Sequence, residues 1–160
     1  MTVPADPVGA LDPALVVPDE ENDENTAATV YLVGWAIDPD TTGPIDVQVY
    51  GTWHDISQTF GPEVISASIE REDVGAAFPA FGSAHGFSLG LRVPPGGWTF
   101  CVYGVNVGAG ANAALGCRTV TVDVPDWYAV RATPGATPRV APNTGLRNRD
   151  GRAVPAASAG

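Results

Sequence analysis

Glycine and proline punctuate this chain too densely for long helices. Nineteen glycines and fifteen prolines make up about a fifth of its 160 residues. In a helix interior glycine costs roughly 1 kcal/mol and proline roughly 3 kcal/mol relative to alanine. The stretches between them are rich in valine, threonine and aromatic residues that alternate with polar ones. Short strands joined by turns are therefore expected. At this length, with 44% hydrophobic content, the chain fills one core and not two.

The clearest strand signal is Thr29-Val30-Tyr31-Leu32-Val33-Gly34-Trp35-Ala36-Ile37, closed by an Asp38-Pro39-Asp40 turn. Its alternation groups Tyr31, Val33, Trp35 and Ile37 on one face, with Trp35 expected as a central core residue because it buries the most area. Ile45, Val47 and Val49 alternate with polar partners, and residues 64–69 form another strand after the Gly61-Pro62 break. Asp73 is placed to cap one helical turn that Pro79 helps to end. Phe87, Leu89, Leu91 and Val93 share a face, and Pro94-Pro95-Gly96-Gly97 turns the chain into residues 98–107, which predicts a hairpin. A glycine-rich loop, 108–112, then leads to a last strand over 117–124. Ala14 to Val17 forms a short edge strand that pairs with the segment following it. About seven strands at this spacing predict an all-β, immunoglobulin-like sandwich. Residues 1–27 form an N-terminal segment with an acidic loop, 28–124 the sandwich, and 125–160 an extended C-terminal arm.

Charge is unevenly spread over a chain of net charge −10. Asp6, Asp12, Asp19, Glu20, Glu21, Asp23 and Glu24 crowd the N-terminal segment without a single basic residue. The body holds only Arg71, Arg92 and Arg118, and the chain has no lysine, so nucleic acid is not an expected partner. The arm carries Arg131, Arg139, Arg147, Arg149 and Arg152 against two aspartates. Few large apolar residues interrupt its proline-bearing sequence, so it suits draping over a neighbouring surface, with Trp127 and Tyr128 as anchors. The first residues lack the basic and apolar regions of a signal peptide, and no apolar run approaches a membrane span. The expectation is a soluble chain, not Sec-exported and without a membrane partner.

The chemistry-bearing residues have simpler explanations. Cys101 and Cys117 lie on the two strands of the last hairpin. With Phe100, Val102, Val120 and Val122 inward, both cysteines point outward on one face, consistent with a cross-strand disulfide. His54 and His85 are the only histidines, too few for a hydrolytic zinc site, and His85 is expected to hydrogen-bond loop backbone. Asp38, Asp40 and Asp46 resemble a calcium loop weakly, without its glycine and terminal glutamate. Glu70, Glu72 and Asp73 read as a solvated charged loop, and no Gly-x-Ser-x-Gly occurs. No catalytic residue, metal or cofactor is expected, and the chain is not read as an enzyme.

An ordered set of segments carries a resemblance: Gly34-Trp35-Ala36-Ile37-Asp38-Pro39-Asp40-Thr41, Arg71-x-Asp73-Val74, His85-Gly86-Phe87, Cys101 to Gly108, and Leu115-Gly116-Cys117-Arg118-Thr119-Val120. Together, from about Val8 to Val122, they resemble a β-sandwich module of actinobacterial cell-surface proteins and their phages. The bacterial modules resemble accessory domains beside wall hydrolases, and they imply no catalytic residues. The resemblance, joined to the arm, implies an accessory virion protein, either capsid decoration or tail accessory. It would assemble in the host cytoplasm, dock on other virion proteins through its arm, and be exposed on the particle. Homo-oligomers are compatible with this reading. The alternative is a secreted or cell-surface module in which Tyr50, Trp53 or Tyr103 stacks on wall polysaccharide.

Overall fold

The computed structural model describes residues 6–19, 26–124, 146–148 and 152–157. The strands are β1 (Val8–Leu11), β2 (Leu15–Pro18), β3 (Ala28–Ile37), β4 (Ile45–Trp53), β5 (Gln58–Ala67), β6 (Ile69–Glu70), β7 (Ala84–Val93), β8 (Gly96–Gly104) and β9 (Ala113–Val122). One six-residue helix, α1 (Glu72–Ala77), joins β6 to β7. One sheet runs β1-β3-β7-β6 with β2 also paired to β3, and the other runs β5-β4-β8-β9. That order is the immunoglobulin one, with first, second, fifth and fourth strand positions facing an extra edge strand, third, sixth and seventh. The fold is thus the expected all-β sandwich.

Several boundaries differ from the sequence reading. The N-terminal segment is not outside the sandwich, because β1 and β2 both pair antiparallel with β3. Strand β5 runs through Gly61-Pro62 instead of starting after it. It can do so because it is an edge strand, where proline's missing N–H breaks no ladder. Asp73 does not cap α1; Arg71 holds that position without a side-chain cap. The predicted 87–107 hairpin is instead an arch: β7 pairs with β3 in one sheet, while β8 pairs with β4 and β9 in the other. Two indoles fasten it, Trp98 Nε1 donating to the Pro94 carbonyl at 3.1 Å and Trp53 Nε1 to the Pro95 carbonyl at 3.2 Å.

The core is centred on Trp98, not Trp35. Val30, Leu32 and Ala36 of β3 face inward, opposite Leu91, Leu89 and their neighbours on β7. Gly34 also faces inward, where a Cβ would come within 2.5 Å of the Phe87 ring, so that ring fills the space. Tyr31, Val33 and Trp35 therefore turn outward, and Trp35 is half-buried against Phe78 at 5.2 Å. Trp98 is fully buried and stacks between Trp53 at 5.5 Å and Phe100 at 5.7 Å, with Phe60 at 6.0 Å. Burying an indole is tolerated only when its N–H has an acceptor, which the arch supplies.

A sandwich leaves two open sides, and each is closed differently. Between β1 and β9, Arg118 reaches from one sheet to the other and donates to the carbonyls of Leu11 and Asp12. Asp12 also donates its N–H to Val33 and accepts Arg71 on its carboxylate, tying three elements together. Between β5 and β7, the C-terminal chain closes the gap. Arg147 exchanges both backbone hydrogen bonds with Arg92 of β7, at 2.7 and 2.8 Å. The chain then turns, Val154 N–H donating to the Leu146 carbonyl, and continues along β5: Gly61 N–H donates to Pro155 and Ala157 N–H to Thr59. Leu146 and Val154, 1% and 3% exposed, join the main core. The arm expected to stand away from the sandwich is, over these residues, part of its wall. Main-chain pairing needs no hydrophobic periodicity, so the sequence gives little sign of it.

Leu146→Ala should lower unfolding stability by about 2–3 kcal/mol, near the low end for buried leucine because the segment can detach without opening both sheets. Denaturant titration measures this, and an unchanged midpoint would contradict the packing.

Candidate binding site

The outer face of the β4–β8–β9 sheet carries the cysteine pair. Cys101 and Cys117 are directly opposite in the β8–β9 register and are joined, with Cα atoms 4.1 Å apart. The expected parity holds: Phe100 and Val102 are buried on the opposite face. Beside the bridge, Tyr50 and Tyr103 meet edge to face at 5.8 Å, and Thr99 hydrogen-bonds both Thr119 and His54. Trp53, offered by the sequence as a stacking surface, is instead committed to Trp98 and Pro95. Tyr50 and Tyr103 remain half-exposed on this face.

The carboxylates and histidines serve the loops. Asp38 is fully buried, one oxygen accepting the Asp40 N–H at 2.8 Å and the other the Val107 N–H at 2.6 Å. It thereby ties the β3–β4 turn to the loop after β8. His85, 1% exposed, is bonded through Nε2 to the Phe81 carbonyl at 2.9 Å, the loop-backbone role expected for it. Among the described residues no three His, Cys, Asp or Glu side chains are grouped to hold a metal ion. No helix there is long and apolar enough to cross a membrane.

Arg71 is the electrostatic junction on the rim. It forks onto Asp73 at 2.8 and 3.1 Å and reaches Asp12 at 2.9 Å. The hydrogen bond from Arg71 is the main reason that Asp73's carboxyl is held below the usual carboxylate range, with Coulomb attraction adding to it. The same hydrogen bond raises the guanidinium of Arg71, which is charged throughout. Asp73 is largely exposed, so solvent screens the pair.

The outer face of the other sheet has a different character. Thr29, Tyr31, Val33 and Trp35 on β3 stand opposite Arg92, Gly90, Ser88 and Gly86 on β7. The small residues make a low floor. The Tyr31 ring lies across it, since a Cβ on Gly90 would be 3.0 Å from Tyr31 Cε1. Tyr31 stays 39% exposed and lines, with Thr29, Ser88, Gly90 and Arg92, a trough of about 310 Å³. Thr29 Oγ1 donates to Asp19 at 2.7 Å at its end. Leu15, paired with Tyr31 across β2, is 60% exposed, and Val17 is exposed beside it. The alternation of Ser88, Gly90 and Arg92 is visible in the sequence. What cannot be read there is the register that sets them against Tyr31.

Of the arm residues, Arg147 and Arg152 lie within the C-terminal hairpin. Arg147 is fixed by its backbone bonds to Arg92, and Arg152 by its carbonyl and N–H to Asn148. Trp127, Tyr128, Arg131, Arg139 and Arg149 lie outside the described residues. Comparison of the chain with protein-family models, with curated proteins and with solved structures finds no match.

Two outcomes follow from this geometry. Replacing Cys101 and Cys117 by serine removes a cross-link spanning 16 residues and should cost about 3 kcal/mol, read as a shift in denaturation midpoint; equal midpoints for the oxidised parent and the variant would contradict it. The depressed Asp73 contributes stability that is present above the ordinary carboxylate pKa and lost as pH falls through its folded value. Asp73→Asn should therefore be less stable than the parent at neutral pH and converge with it in acid. A gap that stays constant with pH would show that the ion pair is not its source.

Proposed function

We propose that this protein is a non-enzymatic accessory protein of an actinobacterial phage particle, joined to its neighbours through its C-terminal region. The observation that carries this reading is the seating of residues 146–148 and 152–157. They attach by backbone pairing and two buried apolar side chains, which is how an extended peptide adds to a sheet edge in protein assembly. The resemblance of the ordered motif set to actinobacterial surface and phage modules supplies the setting. A protein whose distinctive features lie in edges and surfaces suits attachment.

A second reading, adhesion to wall polysaccharide, is favoured by the trough under Tyr31, which combines an exposed ring with the hydroxyl groups of Thr29 and Ser88. Such a polar cleft with an aromatic platform suits a sugar better than a lipid chain. The tyrosines of the opposite face, Tyr50 and Tyr103, are its rival platform.

Mass spectrometry of purified particles tests the first reading. The chain should be present in stoichiometric copies, and particles complete without it would refute a structural role. Sedimentation with purified actinobacterial walls separates the second, which requires binding that Tyr31→Ala weakens at least tenfold.

A further inference from the structure

We propose that the slot between β5 and β7 is also a receptor for residues 146–157 of a second copy of this chain, so that neighbouring copies exchange their C-terminal hairpins. The inference rests on the C-terminal region being the docking element, but not on the setting in a particle. Everything that holds the hairpin is local to the slot. Arg92 on one sheet and Thr59 to Gly61 on the other supply the backbone partners. Leu146 enters beside Gly51, where a Cβ would lie 3.1 Å from its Cδ2, and Val154 enters the same core. None of these contacts requires that donor and receptor belong to one chain, which is the condition for exchange of an element between identical protomers.

The length of the connection gives the hairpin the reach that exchange needs. Strand β9 ends at Val122, which pairs with Gly96, and the hairpin begins where Arg147 pairs with Arg92. Both anchors sit on the same arch, four residues apart. At roughly 3.3 Å per extended residue, about five residues would bridge such a gap. The chain devotes residues 125–145 to it. Their contour of roughly 70 Å is about twice the length of a ten-residue strand, enough to reach the slot of an adjoining sandwich. Charge is compatible with such a partner: residues 146–157 carry three of the eight arginines against one aspartate, while the body is strongly acidic.

A tether of this length holds its own hairpin at an effective concentration in the millimolar range, falling as the tether lengthens. The closed monomer therefore dominates in dilute solution. Exchange competes once copies are crowded to that density, as on a regular surface.

The test uses the full chain with the exposed position Ala156→p-benzoylphenylalanine, which faces Phe60 across the bridge. Equal amounts of nitrogen-14 and nitrogen-15 protein are mixed, irradiated at dilute and at millimolar concentration, and the peptides joined to β5 are weighed. Hybrid-mass cross-links should be nearly absent when dilute and rise to about a quarter of the total at the millimolar concentration where exchanged and closed forms are equal, half being the limit for complete exchange. Leu146→Asp should abolish the hybrids, with circular dichroism confirming that the sheets remain. Cross-links of a single isotope at every concentration, or none to β5 at all, would overturn the proposal. Presence of the chain in particles is measured separately, so failure of exchange and failure of the particle reading are distinguishable.

Discussion

The rest of the structure depends on how the two open sides of the sandwich are shut. Stacked sheets bury their facing surfaces, yet each leaves edge strands whose backbone groups need partners. On one side Arg118 spans the gap and bonds the carbonyls of Leu11 and Asp12. On the other, the chain returns and lays down a strand on each sheet, at Arg92 and at Thr59 to Gly61. The first device is a single charged side chain. The second is backbone, and it carries Leu146 and Val154 into the core as it closes. Fold and proposed attachment thus share one element.

Between those sides, the arch from β7 to β8 links the sheets through aromatic packing. Trp98 lies at the centre because its indole N–H reaches the Pro94 carbonyl, while Trp53 does the same for Pro95. Phe60 on β5 touches Trp98 on one flank and faces Ala156 across the closing strand. The tail and the aromatic centre therefore meet at one residue, Phe60, through its backbone and its ring respectively.

Whatever depends on neighbours along the chain is legible in the sequence. The Cys101–Cys117 pairing follows from parity within a hairpin, and the strand periods and turns define the class of fold. The features that the sequence misplaces all depend on distant partners. Trp35 reads as inward because β3 carries large residues on both faces, and only the register with β7 decides which face is buried. Turn chemistry at Pro94 to Gly97 shows that the chain reverses, but not which sheet receives it. Leu146 and Val154 are isolated apolar residues in a polar stretch, so no period announces their burial. The trough under Tyr31 is likewise half visible: its small residues alternate along one strand, and its ring comes from another.

Hydrogen exchange of backbone amides in the intact chain tests the closing strand most directly. The Arg92, Gly61 and Val154 amides are hydrogen-bonded to or within the C-terminal hairpin, and should be protected at least a hundredfold, on the order expected for paired backbone, beyond the rate of an open peptide. Exchange of all three at open-peptide rates, while Val30 and Val102 in the sheet interior stay protected, would show that the sandwich stands with this side open and would contradict the closing role of the C-terminal strand.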